Sequence, residues 1–89
     1  MTVELLGSLT VDTADEFYDT LKGEIDDVQL LILDLELLAY ITSAGIRSLF
    51  RLFQQMTAHE GRIVVRHVNS EVMNVFELMN VVSLITIEE

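Results

Sequence analysis

The run LLILDL, Leu30 to Leu35, constrains this chain more than any other stretch. A continuous apolar segment this short, bounded by polar residues, is the pattern of a strand buried on both faces of a parallel sheet. It is expected to be the central strand. Beyond it lies the small-residue junction ITSAGI, and then Ile46, Leu49, Phe50, Phe53 and Met56 recur at helical spacing with Arg47, Arg51 and Gln54 between them. This predicts an amphipathic helix that Gly61 stops.

The rest of the chain repeats that alternation. Val3, Leu5, Leu9 and Val11 alternate in part around Gly7, which predicts one or two short strands with a bend or bulge at the glycine. DTADEFYDTLKGE reads as a helix: Thr13 as N-cap and Glu16 three residues later make a capping-box pattern, Phe17 and Leu21 share a face, and Gly23 ends it. RIVVRHV supplies a strand through Ile63, Val64 and Val65. NSEVMNVFELMN supplies a third helix capped at Asn69 or Ser70, with Val72, Val75, Phe76 and Met79 turned inward, and SLITIEE a last strand. Strands alternating with helices predict a single α/β domain over residues 1–89, with a mostly parallel sheet of four to five strands and about three helices. Three helices are few for such a sheet, so they are expected to cover one face.

Composition narrows the function classes. With 89 residues there is room for one core. The chain has no cysteine, so disulfides, thiolate zinc sites and a cysteine nucleophile are excluded. No apolar run approaches the roughly 20 residues that span a bilayer, and the N-terminus lacks the basic start of a signal peptide; a soluble, cytoplasmic protein is the expectation. Five Lys or Arg against fifteen Asp or Glu give a net charge of −10, which repels phosphate backbones and anionic lipid surfaces. Nucleic-acid binding and direct membrane insertion are not expected.

The junction asks for an explanation. In α/β sheets, ligands and partners meet the protein beyond the carboxyl ends of strands, where helix N-termini present unpaired N–H groups. Thr42, Ser43 and Gly45 fall at such an end, and a glycine in a helix first turn costs about 1 kcal/mol relative to alanine. One reading is structural: Ser43 or Thr42 is an N-cap and Gly45 lets helix pack on strand. The other is that Ser43 is modified. A phosphate there adds about −1.5 to −2 charges where the helix dipole tolerates them, changing the surface without unfolding the domain. Arg47, one turn on, is within helical reach of Ser43.

Here the residues carry a family resemblance. The chain from GSLTVDTADEF to the last strand resembles the STAS domain of bacterial anti-sigma-factor antagonists, whose central pattern is a strand ending in Asp-Leu, a loop, and Asp-Ser-Ser-Gly-Leu opening a helix. Asp34-Leu35 and TSAGI, Thr42 to Ile46, stand at that spacing. The resemblance implies a binding switch: the unmodified domain binds an anti-sigma factor that is often itself a serine kinase, phosphorylation weakens binding, and a phosphatase restores it. By position the phosphorylated serine is Ser43, with Thr42 a second acceptor, and Ala44 stands at the family's second serine. Two aspartates of the pattern are replaced, one by Thr42 and one by Thr10 in GSLT. The partner surface is expected to comprise Tyr40, Ile41, Thr42, Ser43, Gly45, Ile46 and Arg47, with Thr10 and Asp12 from the neighbouring loop; these gather only in a parallel sheet. The resemblance also admits an unphosphorylated structural or scaffold subunit, for example of a transport or signalling complex.

Catalysis is not expected. Ser43 and His59 lie at opposite ends of one predicted helix, roughly 24 Å apart at about 1.5 Å per residue, which excludes a Ser-His pair. The separation of His59 and His67 does not suggest a metal site, and no Gly-rich nucleotide loop is present, so no cofactor is expected. The acidic pairs Asp26-Asp27, Glu88-Glu89 and Asp15-Glu16 read as a solvated loop, a charged terminus and a helix first turn.

Overall fold

The computed structural model describes residues 1–83 and 85–88. Four parallel strands form the main sheet in the order β1 (Thr2–Glu4), β3 (Leu30–Asp34), β5 (Arg62–Arg66), β6 (Thr86–Glu88). A second, two-stranded parallel sheet joins β2 (Gly7–Leu9) to β4 (Leu38–Ile41). The helices are α1 (Ala14–Lys22), α2 (Ser43–Ala58) and α3 (Ser70–Leu78), with a 3-10 turn at Val81–Ser83. The α/β domain of mostly parallel strands and three helices is therefore observed. The expected strand in SLITIEE is found at Thr86–Glu88, while Leu84 and Glu89 lie outside the described residues.

The two sheets are two halves of the same strands. After Glu4 and after Asp34 the chain bends and resumes pairing as β2 and β4, with Gly7 at φ +74° and a register shift between Gly7 and Ser8. The bend expected at this glycine is present, because a positive φ costs glycine nothing. The segment after Asp34-Leu35 was expected to be a loop, and this is corrected: Leu38–Ile41 is a strand, with Leu38 and Ile41 buried and Ala39 and Tyr40 exposed.

The central strand is buried on one face rather than two. Leu31, Leu33 and Leu35 are fully buried, whereas Ile32 is partly exposed and Leu30 is 42% exposed. Alternation along a strand sends successive side chains to opposite faces, and the helices cover only one of them. The other carries Thr2, Ile32, Val64 and Thr86 in one row and Glu4, Asp34, Arg66 and Glu88 in the next.

Under the covered face, Ile46, Leu49, Leu52 and Met56 of α2 are fully buried together with Val65, Val72 and Phe76. Phe50 and Phe53 pack at the rim of this core. Two details differ from expectation. Met79 is exposed, because α3 ends at Leu78 and Met79 forms its C-cap. Thr13 holds the N-cap position of α1 without capping it; its hydroxyl donates to the Ser8 carbonyl at 2.9 Å and accepts from the Thr10 N–H at 2.9 Å. Asn69 caps α3 as expected, accepting the Val72 N–H at 2.8 Å. No helix among the described residues is long and apolar enough to cross a membrane.

Candidate functional site

The carboxyl ends of β2 and β4 meet because these strands are parallel neighbours, with Leu9 opposite Ile41. Thr10 and Thr42 follow directly on those two residues, and the Thr42 N–H donates to the Leu9 carbonyl at 3.0 Å. The loop after β2 is built around Thr10. Its hydroxyl accepts the Asp12 N–H at 3.3 Å, and its carbonyl accepts the N–H groups of Thr13 at 3.1 Å and Ala14 at 2.8 Å. The parallel sheet thus brings the TVDT loop, Thr10 to Thr13, beside the start of α2.

Thr42 stands at the N-cap of α2 with extended backbone, yet makes no side-chain cap; its hydroxyl turns to the Leu9 carbonyl at 3.4 Å. Ser43 is the first helical residue and is exposed to solvent. Neither hydroxyl therefore acts as the plain cap that the structural reading of the junction supposed. Ser43 instead offers its side chain beside the N–H groups that open the helix, where negative charge is favoured.

Gly45 explains how α2 can begin so close to the strands. A Cβ there would stand 2.6 Å from the Leu9 carbonyl oxygen, 2.7 Å from Ile41 Cγ1 and 3.1 Å from Leu9 Cγ. Only a glycine allows this approach. The buried Ser48 hydroxyl donates to the Gly45 carbonyl at 2.7 Å, satisfying itself within the helix.

The nine residues expected at the partner surface divide by exposure. Asp12, Tyr40, Ser43 and Arg47 are exposed, and Thr10 and Thr42 are half-buried. Ile41, Gly45 and Ile46 are buried, so they shape the surface from beneath. Val11, 74% exposed in the same loop, was not singled out from sequence, where it reads as part of the strand alternation. His59 sits at the far end of α2, with Nε2 2.7 Å from the Val28 carbonyl, away from Ser43.

A second polar cluster lies at the carboxyl ends of β3 and β5. His67 Nδ1 is 3.0 Å from Asp34 Oδ1 and 3.8 Å from Glu36 Oε2. The Glu36 backbone N–H, which donates to Asp34 Oδ1 at 3.0 Å, and His67 together hold the Asp34 carboxyl below the usual carboxylate range.

Comparison with known proteins agrees with this architecture. The STAS domain family model matches residues 1–89. Among solved structures, a Thermotoga maritima protein assigned as an anti-sigma factor antagonist superposes with a TM-score of 0.88 at 18% identity, covering 99% of this chain and 79% of that one. The anti-sigma factor antagonist SpoIIAA in its unphosphorylated form gives 0.77 at 17% identity, covering 99% and 77%. The STAS domain of a SulP transporter from Vibrio cholerae gives 0.75 at 22% identity, covering 98% and 71%. No curated protein sequence matches the chain.

Proposed function

The chain belongs to the STAS-domain family, a family of non-catalytic regulatory and scaffold modules, and on that premise we propose that it is a protein-binding switch of the anti-sigma-factor antagonist type. Its unmodified surface binds an anti-sigma factor that is also a serine kinase; phosphorylation of Ser43 releases that partner, and a phosphatase resets the domain. The observation that carries this reading is the exposed Ser43 at the first position of α2, beside Thr10 and Thr42. SpoIIAA, which shares the fold, has been solved in both unphosphorylated and phosphorylated forms. A phosphate on Ser43 adds charge and bulk to the centre of a docking surface, which opposes binding through repulsion and desolvation. Ser43 is favoured over Thr42 because the Thr42 hydroxyl is half-buried against Leu9.

The second reading is an unphosphorylated STAS subunit of a transport or signalling assembly. It draws on the similarity to a SulP transporter STAS domain and on Thr10 and Thr42, which stand where the antagonist pattern has aspartates. Intact-mass spectrometry with site mapping, on protein taken from its native cell, separates the two. Phosphate on Ser43 supports the switch. Its absence across growth conditions that span exponential growth, starvation and stress sinks the switch and leaves the structural subunit.

A further inference from the structure

We propose that Asp34, Glu36 and His67 form a binding site for a divalent first-row transition cation of the zinc class. One donor atom from each side chain lies within 4.8 Å of the other two. Ligands about 2.1 Å from a common ion stand about 3.0 Å apart on an octahedron and about 3.4 Å on a tetrahedron. The observed separations, 3.0 Å from His67 Nδ1 to Asp34 Oδ1 and 3.8 Å to Glu36 Oε2, bracket those values. A small movement of the exposed Glu36 side chain closes the set around one ion.

The fold brings the three together for a reason unrelated to Ser43. Asp34 is the last residue of β3, Glu36 follows two residues on, and His67 follows Arg66, the partner of Asp34 across the parallel β3–β5 ladder. Asp34 and Glu36 line a cavity of about 160 Å³ with Glu4 and Leu37, while His67 lines a separate one of about 220 Å³ with Val68, Met73, Ile87 and Glu88. Glu4, Asp34 and Glu36 gather at this strand end in a protein of net charge −10, which favours a cation near Asp34 and Glu36. Arg66, in register with Asp34, places Nε 3.7 Å from Glu88 Oε1, and its charge also acts on the Asp34 carboxylate.

The donor set selects the ion class. One imidazole nitrogen with two carboxylates suits zinc, manganese, cobalt or nickel, whereas calcium and magnesium take oxygen donors. With three protein ligands, water completes the coordination. A bound ion would pin the carboxyl ends of β3 and β5 to each other.

The test is zinc titration of the untagged, chelator-treated chain by calorimetry, together with nitrogen-15 NMR of the two histidine rings. One site per chain is expected, with a shift of His67 Nδ1 and none of His59. His67→Gln and Asp34→Asn should each weaken binding by about tenfold or more. Asn at position 34 keeps an oxygen that can accept the Glu36 N–H, and circular dichroism of both variants checks that they fold. No binding heat, a titration unchanged by His67→Gln, or calcium binding as tight as zinc would each overturn the site.

Discussion

Gly45 lies so close beneath the end of β2 that a Cβ on it would come within 2.6 Å of the Leu9 carbonyl oxygen. The same oxygen accepts the Thr42 N–H at 3.0 Å, so the contact that requires glycine also fixes where α2 starts. Gly45→Ala sets two effects against each other. Alanine gains about 1 kcal/mol of helix propensity, and overpacking costs about 1–3 kcal/mol. Backbone and a branched side chain cannot yield as a flexible side chain would, so the overlap should win, with net destabilisation of up to about 2 kcal/mol. Urea denaturation measures it; a variant as stable as the parent would show that α2 can shift away from β2 at no cost.

Ser43 occupies the opposite situation, exposed and at the first helical position. Ser43→Asp places a carboxylate near the positive end of α2, worth about 0.3–1 kcal/mol, and should leave the melting temperature unchanged or raised. Ser43→Lys should lower it. A switch that works by surface charge needs a fold that survives that charge. A loss of more than about 1 kcal/mol in Ser43→Asp would contradict the dipole argument on which the switch rests.

Asn69 joins α3 to the second sheet. Its Oδ1 accepts the Val72 N–H at 2.8 Å, and its Nδ2 donates to the Leu38 carbonyl at 2.9 Å. Asn69→Ala removes both, a cap worth about 1 kcal/mol and a further hydrogen bond of about 1 kcal/mol. Asn69→Ser keeps a cap acceptor and loses the donor without setting a second acceptor against the Leu38 carbonyl, so it should cost less. Equal losses in the two variants, compared by thermal unfolding, would mean that the cap contributes nothing.

Much of this architecture was legible because local periodicity reports it. The helices at 14–22, 43–58 and 70–78 and the strands at 30–34 and 62–66 follow from apolar spacing and bounding polar residues. β4 was not legible. Its partner β2 lies about thirty residues earlier, and Ala39 and Tyr40, adjacent and both exposed, break the alternation that marks a strand. The exposed face of β3 was hidden for a related reason: an apolar run does not say whether helices cover both its faces.

The end of α2 shows the same limit. The left-handed residue there is Glu60, at φ 64°, not Gly61. Gly61 instead fits a close approach: a Cβ would lie 2.7 Å from the flexible end of Met56, at Cε, and 3.1 Å from the Val28 carbonyl oxygen. At the candidate site, strand-end logic placed Thr10 and Asp12 beside Thr42 and Ser43. The cluster of Asp34, Glu36 and His67 depends on the register between β3 and β5, which no local pattern encodes.

The contact between α1 and α2 includes a cation–π pair whose worth can be separated from its neighbouring ion pair. The Arg51 guanidinium lies 3.9 Å from the Tyr18 ring centroid, and Arg51 Nη1 is 3.8 Å from Asp15 Oδ1. An exposed ion pair at that distance contributes about 0–1 kcal/mol and is screened by salt, whereas stacking on an aromatic face contributes about 0.5–1 kcal/mol. Asp15→Asn should therefore change stability little, least of all in 0.5 M salt, taken as roughly the range where screening is short. Arg51→Ala and Tyr18→Leu should each destabilise, and a double-mutant cycle between them should return a coupling of about 0.5–1 kcal/mol. Arg51→Lys keeps the charge but not the planar group, and should recover only part of the loss. A coupling near zero in the Tyr18–Arg51 cycle, with a larger one for Asp15–Arg51, would assign the contact to charge rather than to the ring.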